Sequence, residues 1–423
     1  MTLAQLWWRA NLFGRRIWVR IALVSLAGLA TAAVAGPLGA LAQDRFAFEI
    51  GEAAVSRLLS ILSNSMLVVS TFSLSVMVAA HNAAAAQASP RVHRLLRQDA
   101  RTQTVLATFI GAFVYALGAV TLVNAGMIRG DQFFGLYVAT ILVIVLVILA
   151  ILRWVQHLSA LGSMEQTIDR VEEATGAAWK SRLATPRLGA AALPPEAERP
   201  ADRIAVTCDR FGHMQSVDLA ALSSAAEDWG ARIFVLPDPA DWLTPGTPIA
   251  EICDHTPSEG DAARIRSAFV VTKLREFSQD PGFGVVVLSE IGQRALSAGI
   301  NDPHTAITVV HRLHALLWTW RDEAAANPDE DLAHPRIFVR PWEPNRLVGA
   351  AFDQIGRDGA DRVEVACAVQ SSLASLSRHG DGAMRAAALD QAGRALARAE
   401  AALTLEADRA AVRAAQPPRA ASG

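Results

Sequence analysis

The stretch LYVATILVIVLVILAIL at 136–152 decides the architecture of this chain. It holds no charged side chain and shows no polar face over several helical turns, whereas a helix in a water-soluble core keeps polar residues on one side. Crossing a hydrocarbon layer of about 30 Å takes about 20 mostly apolar residues at helical rise. With its flanks the stretch meets that length over 133–154, and three segments upstream meet it at 21–42, 53–80 and 105–128. The second of these is the least apolar, carrying Arg57 and a run of serines, and it is the one expected to drop out if only three helices cross. Residues 1–155 are therefore expected to form a transmembrane domain of four helices.

Arginines in short loops set the orientation. Arg9, Arg15, Arg16 and Arg20 precede the first span, Arg91, Arg94, Arg97 and Arg101 fill the loop between the second and third, and Arg153 closes the fourth. The alternate loops hold Asp44, Arg45, Glu49 and Glu52, and then Arg129 and Asp131. This bias places the N-terminus and everything after the fourth span in the cytoplasm, and the protein in an inner membrane.

Within the second span, Ser56, Ser60, Ser63, Asn64, Ser70 and Ser73 recur at steps that put most of them on one helical stripe. Such a stripe suits close helix packing, in which small hydroxyl residues let backbones approach. It also suits the axis of a pore, where hydroxyls replace part of an ion's water shell. From Leu58 to Ala80, and through the third and fourth spans as far as Arg153, no Asp, Glu, Lys or Arg occurs. Ion-coupled transporters bury such groups at mid-membrane, so coupled transport is disfavoured. Gly111 and Gly118 in the third span, and Gly28 with Ala32 in the first, read as tight helix contacts.

Beyond the membrane the composition becomes ordinary. The 423 residues carry a net charge of −2, so no global basic field exists to hold nucleic acid. Cys208, Cys253 and Cys367 are scattered and odd in number, which argues against a disulfide framework. Residues 156–200 read as an amphipathic helix, with Leu158, Leu161, Ile168 and Val171 at helical spacing, followed by a flexible Pro- and Ala-rich linker over 185–200. Residues 201–257 read as a small α+β unit with strands at 203–207, 214–217, 232–236 and 249–252, and a helix over 218–229 capped by Asp218. Residues 258–414 read as mainly helical with one strand at 336–340, and 415–423 as a disordered tail. The fold class expected is thus a membrane α-helical part plus a cytoplasmic α+β domain ending in helices.

The most distinctive soluble string is SQDPGFGVVVLSEIGQRALSAGINDPHTAITVVHRLHALL at 278–317. Pro281 and Gly282 start one helix, residues 297–303 break it, and a second begins near His304. Asp302 can cap that second helix and Asn301 can tie down the corner. His304, His311 and His314 share a helical face near Asp302 and are the only candidates for a metal, at a spacing that signals one weakly. No nucleophile elbow, phosphate-binding glycine loop, paired CxxC or dinucleotide fingerprint occurs, so neither an enzyme nor a cofactor is supported.

Taken together, DPGFG at 280–284, RALS at 294–297 and GINDPHTA at 299–306, preceded by FSLSVMVAAHNAAAAQASPRVHRLLRQD at 72–99 and TFIGAFVYAL at 108–117, give the chain a likeness to a known group. From about Trp7 to Ser377 it resembles the bacterial predicted membrane proteins of domain of unknown function 2254. The resemblance implies N-terminal spans and a soluble C-terminal part, and implies no activity. Its motif positions here are Ser89, Pro90 and Arg91; Asp280, Gly282, Gly284, Arg294, Ala295 and Leu296; and Asn301, Asp302, Pro303, Thr305 and Ala306. At AFDQIGRDGAD, 351–361, the chain departs from the arginine and aromatic that relatives place after that isoleucine.

Three functional readings follow. The first is a homo-oligomeric pore lined by Ser60, Ser63, Asn64 and Ser70 and gated by the cytoplasmic domain. The second is a membrane-anchored sensory or scaffold protein whose cytoplasmic domain binds a ligand or partner. The third is a metal-dependent enzyme built on His304, His311 and His314. Expected partners are the lipid bilayer and further copies of the chain, with an ion or small molecule as an unidentified ligand and no nucleic acid.

Overall fold

A computed structural model describes residues 17–42, 51–87, 91–92, 100–129, 132–160, 163–277, 280–320, 332–379 and 381–417. They fall into two compact units, one built within 1–167 and the other from Ile168 onward.

The first unit contains helices α1 (Ile17–Ala42), α2 (Glu52–Gln87), α3 (Ala100–Asn124) and α4 (Gln132–Ala160). Three apolar stretches, Glu52–Ala80, Gln103–Asn124 and Gln132–Gln156, are long enough to cross a membrane, and a shorter one runs over Val19–Ala35. The second helix is thus among the three full-length stretches, and the first is the short one among the described residues. Helices are what such segments form, because lipid offers a backbone N–H or C=O no partner outside the segment. Leucines and valines along α4, among them Leu142, Leu146 and Leu152, stay exposed, as an oil-facing surface requires.

Glycine sets the closest approaches in this unit. A Cβ on Gly28 would lie 3.0 Å from the Gly111 carbonyl oxygen, and one on Gly111 only 2.5 Å from Val24 Cγ1. The helix α3 stops earlier than the hydropathy suggested. Gly126 adopts φ 68°, its N–H donates to the Val123 carbonyl and that of Met127 to Leu122, a glycine-terminated C-cap that ends the helix at Asn124.

The second unit begins within α5 (Met164–Ala184), a separate helix whose first turn is capped by Ser163, through a 3.2 Å bond from the Gln166 N–H. The expected amphipathic helix, read from residue 156, therefore starts at Met164. Strands β1 (Ala190–Ala192), β2 (Ile204–Thr207), β3 (Gly212–Val217), β4 (Arg232–Val235), β5 (Trp242–Leu243), β6 (Pro248–Cys253), β7 (Phe269–Thr272) and β8 (His334–Val339) form two sheets. One is five-stranded in the order β1-β8-β4-β6-β2, the other three-stranded in the order β5-β3-β7. Strands β1, β8 and β4 run parallel; β6 and β2 complete the sheet antiparallel. Helices α6 (Leu219–Trp229) and α7 (Glu259–Ala268) accompany the sheets, and α8 (Pro281–Ala295), α9 (Pro303–Trp318), α10 (Pro344–Asp358), α11 (Val363–Leu376), α12 (Gly382–Ala402) and α13 (Glu406–Ala414) follow. Ile233, Val235, Ile249, Ile252, Ile265 and Ile337 are buried in the core between sheet and helices.

Two expectations are corrected. Residues 185–200 are not a flexible linker: Ala190–Ala192 pairs with β8 as an edge strand, and Arg199 reaches Glu251 at 2.9 Å. Three alanines carry no alternating pattern, so the strand is specified by its partner rather than by its own side chains. Nor do 201–257 and 258–414 form separate bodies, because β8, from the second of these ranges, lies between β1 and β4 within the sheet. In the expected tail, residues from 418 on lie outside the described part.

Candidate ligand cavity

The second unit contains a cavity of about 160 Å³ where three loops and the helices α5, α8 and α10 converge. The loop after β4 brings Asp238, Pro239 and Ala240. That after β8 brings Arg340, Trp342 and Glu343 and runs into α10 with Arg346, Leu347 and Ala350. The segment before α8 brings Arg275 and Asp280, with Pro281 and Gly282 of the helix itself, and Arg182 comes from the last turn of α5. Because β4 and β8 are adjacent and parallel, the cavity sits beyond their carboxyl ends, where open sheets of parallel strands leave room for ligands.

Two carboxylates organise it. Asp280 is buried, accepts the Phe283 N–H at 2.9 Å as the N-cap of α8, and receives Arg275 at 2.8 Å from both Nε and Nη2. Burial raises its pKa, and the Arg275 guanidinium opposes that rise. Asp238 faces Arg346 at 2.5 Å and Arg340 at 3.8 Å, and Arg346 also reaches Asp241 at 3.1 Å. Burial outweighs both arginines and pushes the Asp238 carboxyl up to about 6. Beside it, Ala240 adopts φ 87°, a conformation that costs an L-residue with a Cβ of order 1–3 kcal/mol. The surroundings enforce it: the Ala240 N–H donates to the Met214 carbonyl and its own carbonyl meets His213 Nδ1, both at 2.9 Å. Strain of this kind concentrates at functional sites. Sharing Arg346 and Ala350 with the cavity, an open groove runs along α10 past Gly349 and Asp353 to Arg394 and Arg398 of α12.

Of the residues singled out from the sequence, Asp280, Pro281 and Gly282 line this cavity. Gly284 instead packs α8 against α5, where an added Cβ would lie 2.0 Å from Thr175 Oγ1. Asn301, at φ 52°, accepts Arg362 Nη2 at 2.9 Å. Asp302 accepts the Thr305 N–H at 3.0 Å and its hydroxyl at 2.6 Å, and these bonds hold its carboxyl below the ordinary range. The α8–α9 corner is thus tied down by its own side chains, away from the residues that line the cavity. Ser89 and Pro90 lie outside the described residues.

Histidines 304 and 311 are exposed; His314 is half-buried beside Trp318, and burial pushes its pKa down. Among the described residues no three His, Cys, Asp or Glu side chains gather to hold a metal ion. The hydroxyl stripe of α2 is split: Ser60 and Asn64 are exposed, Ser63 is intermediate, and Ser70 and Ser73 are buried within the first unit. Several neighbouring hydroxyls bond back to their own helix, Thr71 to Leu67 at 3.0 Å and Ser75 to Thr71 at 3.0 Å. Arg182, Asp238, Ala240, Arg340 and Arg346 were missed by sequence reading, since only the tertiary fold gathers them.

Helices long and apolar enough to cross a membrane, joined to an α+β unit that ends in helices, define a multi-pass membrane protein with a folded extramembrane part. Within that class, the chain belongs to the family of predicted membrane proteins designated DUF2254, which it matches over residues 14–375. The cavity lies inside the matched region, whereas Arg394 and Arg398 lie beyond it. Uncharacterized proteins of Mycobacterium bovis and Mycobacterium tuberculosis (strain H37Rv) are each 25% identical to it over 348 residues, covering 79% of this chain. The chain spans 66% of the length of these relatives, a little under two thirds. No solved structure matches it.

Proposed function

We propose that the protein crosses the inner membrane four times and presents its C-terminal unit to the cytoplasm as a ligand-binding sensory domain. The binding site is the cavity beyond β4 and β8. One observation carries this reading: loops from two adjacent parallel strands, a buried capping aspartate and a strained alanine meet at one cavity. At about 160 Å³ it is smaller than the roughly 300–1,000 Å³ of drug-sized sites, so it suits a small molecule or one group of a larger one. Orientation rests on the arginine-rich loops that flank the first, second and fourth spans.

The test is a thermal-shift screen of metabolites against the full chain in detergent, run in parallel on Ala350→Trp. Ala350 lines both cavity and groove and is half-buried, so the indole fills the space without entering the core. A compound that stabilises the wild type and not the variant supports the reading; compounds that stabilise both equally, or none, count against it.

A second reading, a pore assembled from several copies, is favoured by the exposure of Ser60 and Asn64, one turn apart on α2. Ion flux into liposomes that is abolished by Ser60→Leu with Asn64→Leu supports it, and flux indifferent to those changes opposes it.

A further inference from the structure

We infer that the cavity and its groove take a phosphate-bearing anion with at least two charged groups, free in solution or as a lipid headgroup. This inference rests on the ligand-site reading above and names the ligand's chemistry. Lining the combined cleft are six arginines against three aspartates and one glutamate, and Asp241 and Asp390, which pair with Arg346 and Arg394 from just outside it, bring acids and arginines into balance, so the cleft offers a high density of arginine rather than net charge.

The arginines divide into two groups with Arg346 common to both. Arg340 and Arg346 stand at the cavity, and Arg394 and Arg398 stand along the groove, where Gly349 and Ala350 keep the floor low. Arg394 and Arg398 pair at 2.8 Å with Asp390 and Asp353 on partly exposed arms, pairs that exchange for a ligand at little cost; two separated arginine groups then match two anionic groups better than one, and the guanidinium fork matches phosphate oxygens bidentately. Helix α10 adds a further element. Its N-cap, Glu343, makes no side-chain capping bond, so the first-turn N–H groups, those of Asn345 and Arg346 since Pro344 has none, receive no cap from it and suit an incoming anion.

The acids already present do not fill the site in the same way. In the Asp280–Arg275 pair the aspartate is buried, the arginine is bonded to it twice, and the pair holds the start of α8; it stays. Asp238 is different. It meets Arg340 at only 3.8 Å and shares Arg346 with Asp241, and exposed arms of this kind exchange partners at little cost. A phosphate that takes Arg340 and Arg346 leaves Asp238 facing Asp241 and Glu343, a setting in which it binds a proton. Anion binding is therefore accompanied by proton uptake at Asp238, and it tightens as the pH falls.

Calorimetric titration of the full chain in detergent tests this with two probes that each carry two phosphate groups, inorganic pyrophosphate and a short-chain cardiolipin, each at low and high salt. The inference expects saturable binding of at least one probe, weakened by salt, and at least about tenfold weaker in Arg340→Gln with Arg346→Gln, a loss of about 1.4 kcal/mol or more. Pyrophosphate binding points to a free phosphate; binding of the cardiolipin alone points to a lipid headgroup. Gly349→Glu provides a variant that breaks no contact, since no atom lies within 4 Å of a Cβ at that position, and it should weaken binding similarly. Failure of both probes to saturate, or binding indifferent to these variants, overturns the inference. If a neutral compound binds and is blocked by Ala350→Trp while both anions fail, the anion is excluded and the ligand-site reading stands.

Discussion

Asp280 and Asp238 line one cavity yet have opposite structural worth. Asp280 caps α8 and neutralises Arg275, whose guanidinium also lies 4.9 Å from the Phe283 ring. Its replacement by alanine leaves a half-buried arginine unpaired and a helix start uncapped, and should cost about 2–4 kcal/mol in denaturant unfolding of the full chain. Asp238 works against folding at neutral pH. Its folded pKa of about 6 lies above the ordinary aspartate value of 3.8, so its contribution to stability is fully present below about pH 4 and is lost as the pH rises towards 6. The loss is at most about 3 kcal/mol. Unfolding midpoints across that window should fall more steeply for the wild type than for Asp238→Asn, and parallel profiles would show that Asp238 does not titrate there.

At the scale of elements, the parts legible in sequence were those with local causes. The helix over 219–229 was readable because Asp218 caps it, as the Ala221 N–H bonded to Asp218 at 3.0 Å confirms. The α8–α9 corner was readable because Asn301, Asp302 and Pro303 are the residues such a turn needs. Strand β1 was not, being three alanines whose order comes from β8. Neither was the cavity, whose walls come from Arg182, the 238–240 loop, the start of α8 and the 340–350 segment, residues that no spacing rule connects. Glycines in one motif also differ in a way that spacing conceals. Gly284→Ala drives a methyl into Thr175 and should cost about 1–3 kcal/mol, whereas Gly282→Ala meets nothing closer than 3.4 Å and should be neutral or slightly stabilising. Thermal unfolding of the two variants side by side checks this, and equal losses would contradict the packing of α8 on α5.

For the whole molecule, the apolar runs and the α+β remainder follow from hydropathy and periodicity, because lipid and water impose different residue patterns. The stripe on α2 shows the limit of that reasoning. Spacing placed Ser60, Ser63, Asn64 and Ser70 together, but burial within the helical unit separates them, which moves the weight of the functional reading from the membrane to the C-terminal unit. The most direct test of that shift is hydrogen exchange on the detergent-solubilised full chain, with and without a compound that stabilises it. Slowed exchange in the loop at 236–241 and at the start of α10 is the predicted result; slowed exchange confined to α2, with the two cavity loops unchanged, would contradict it.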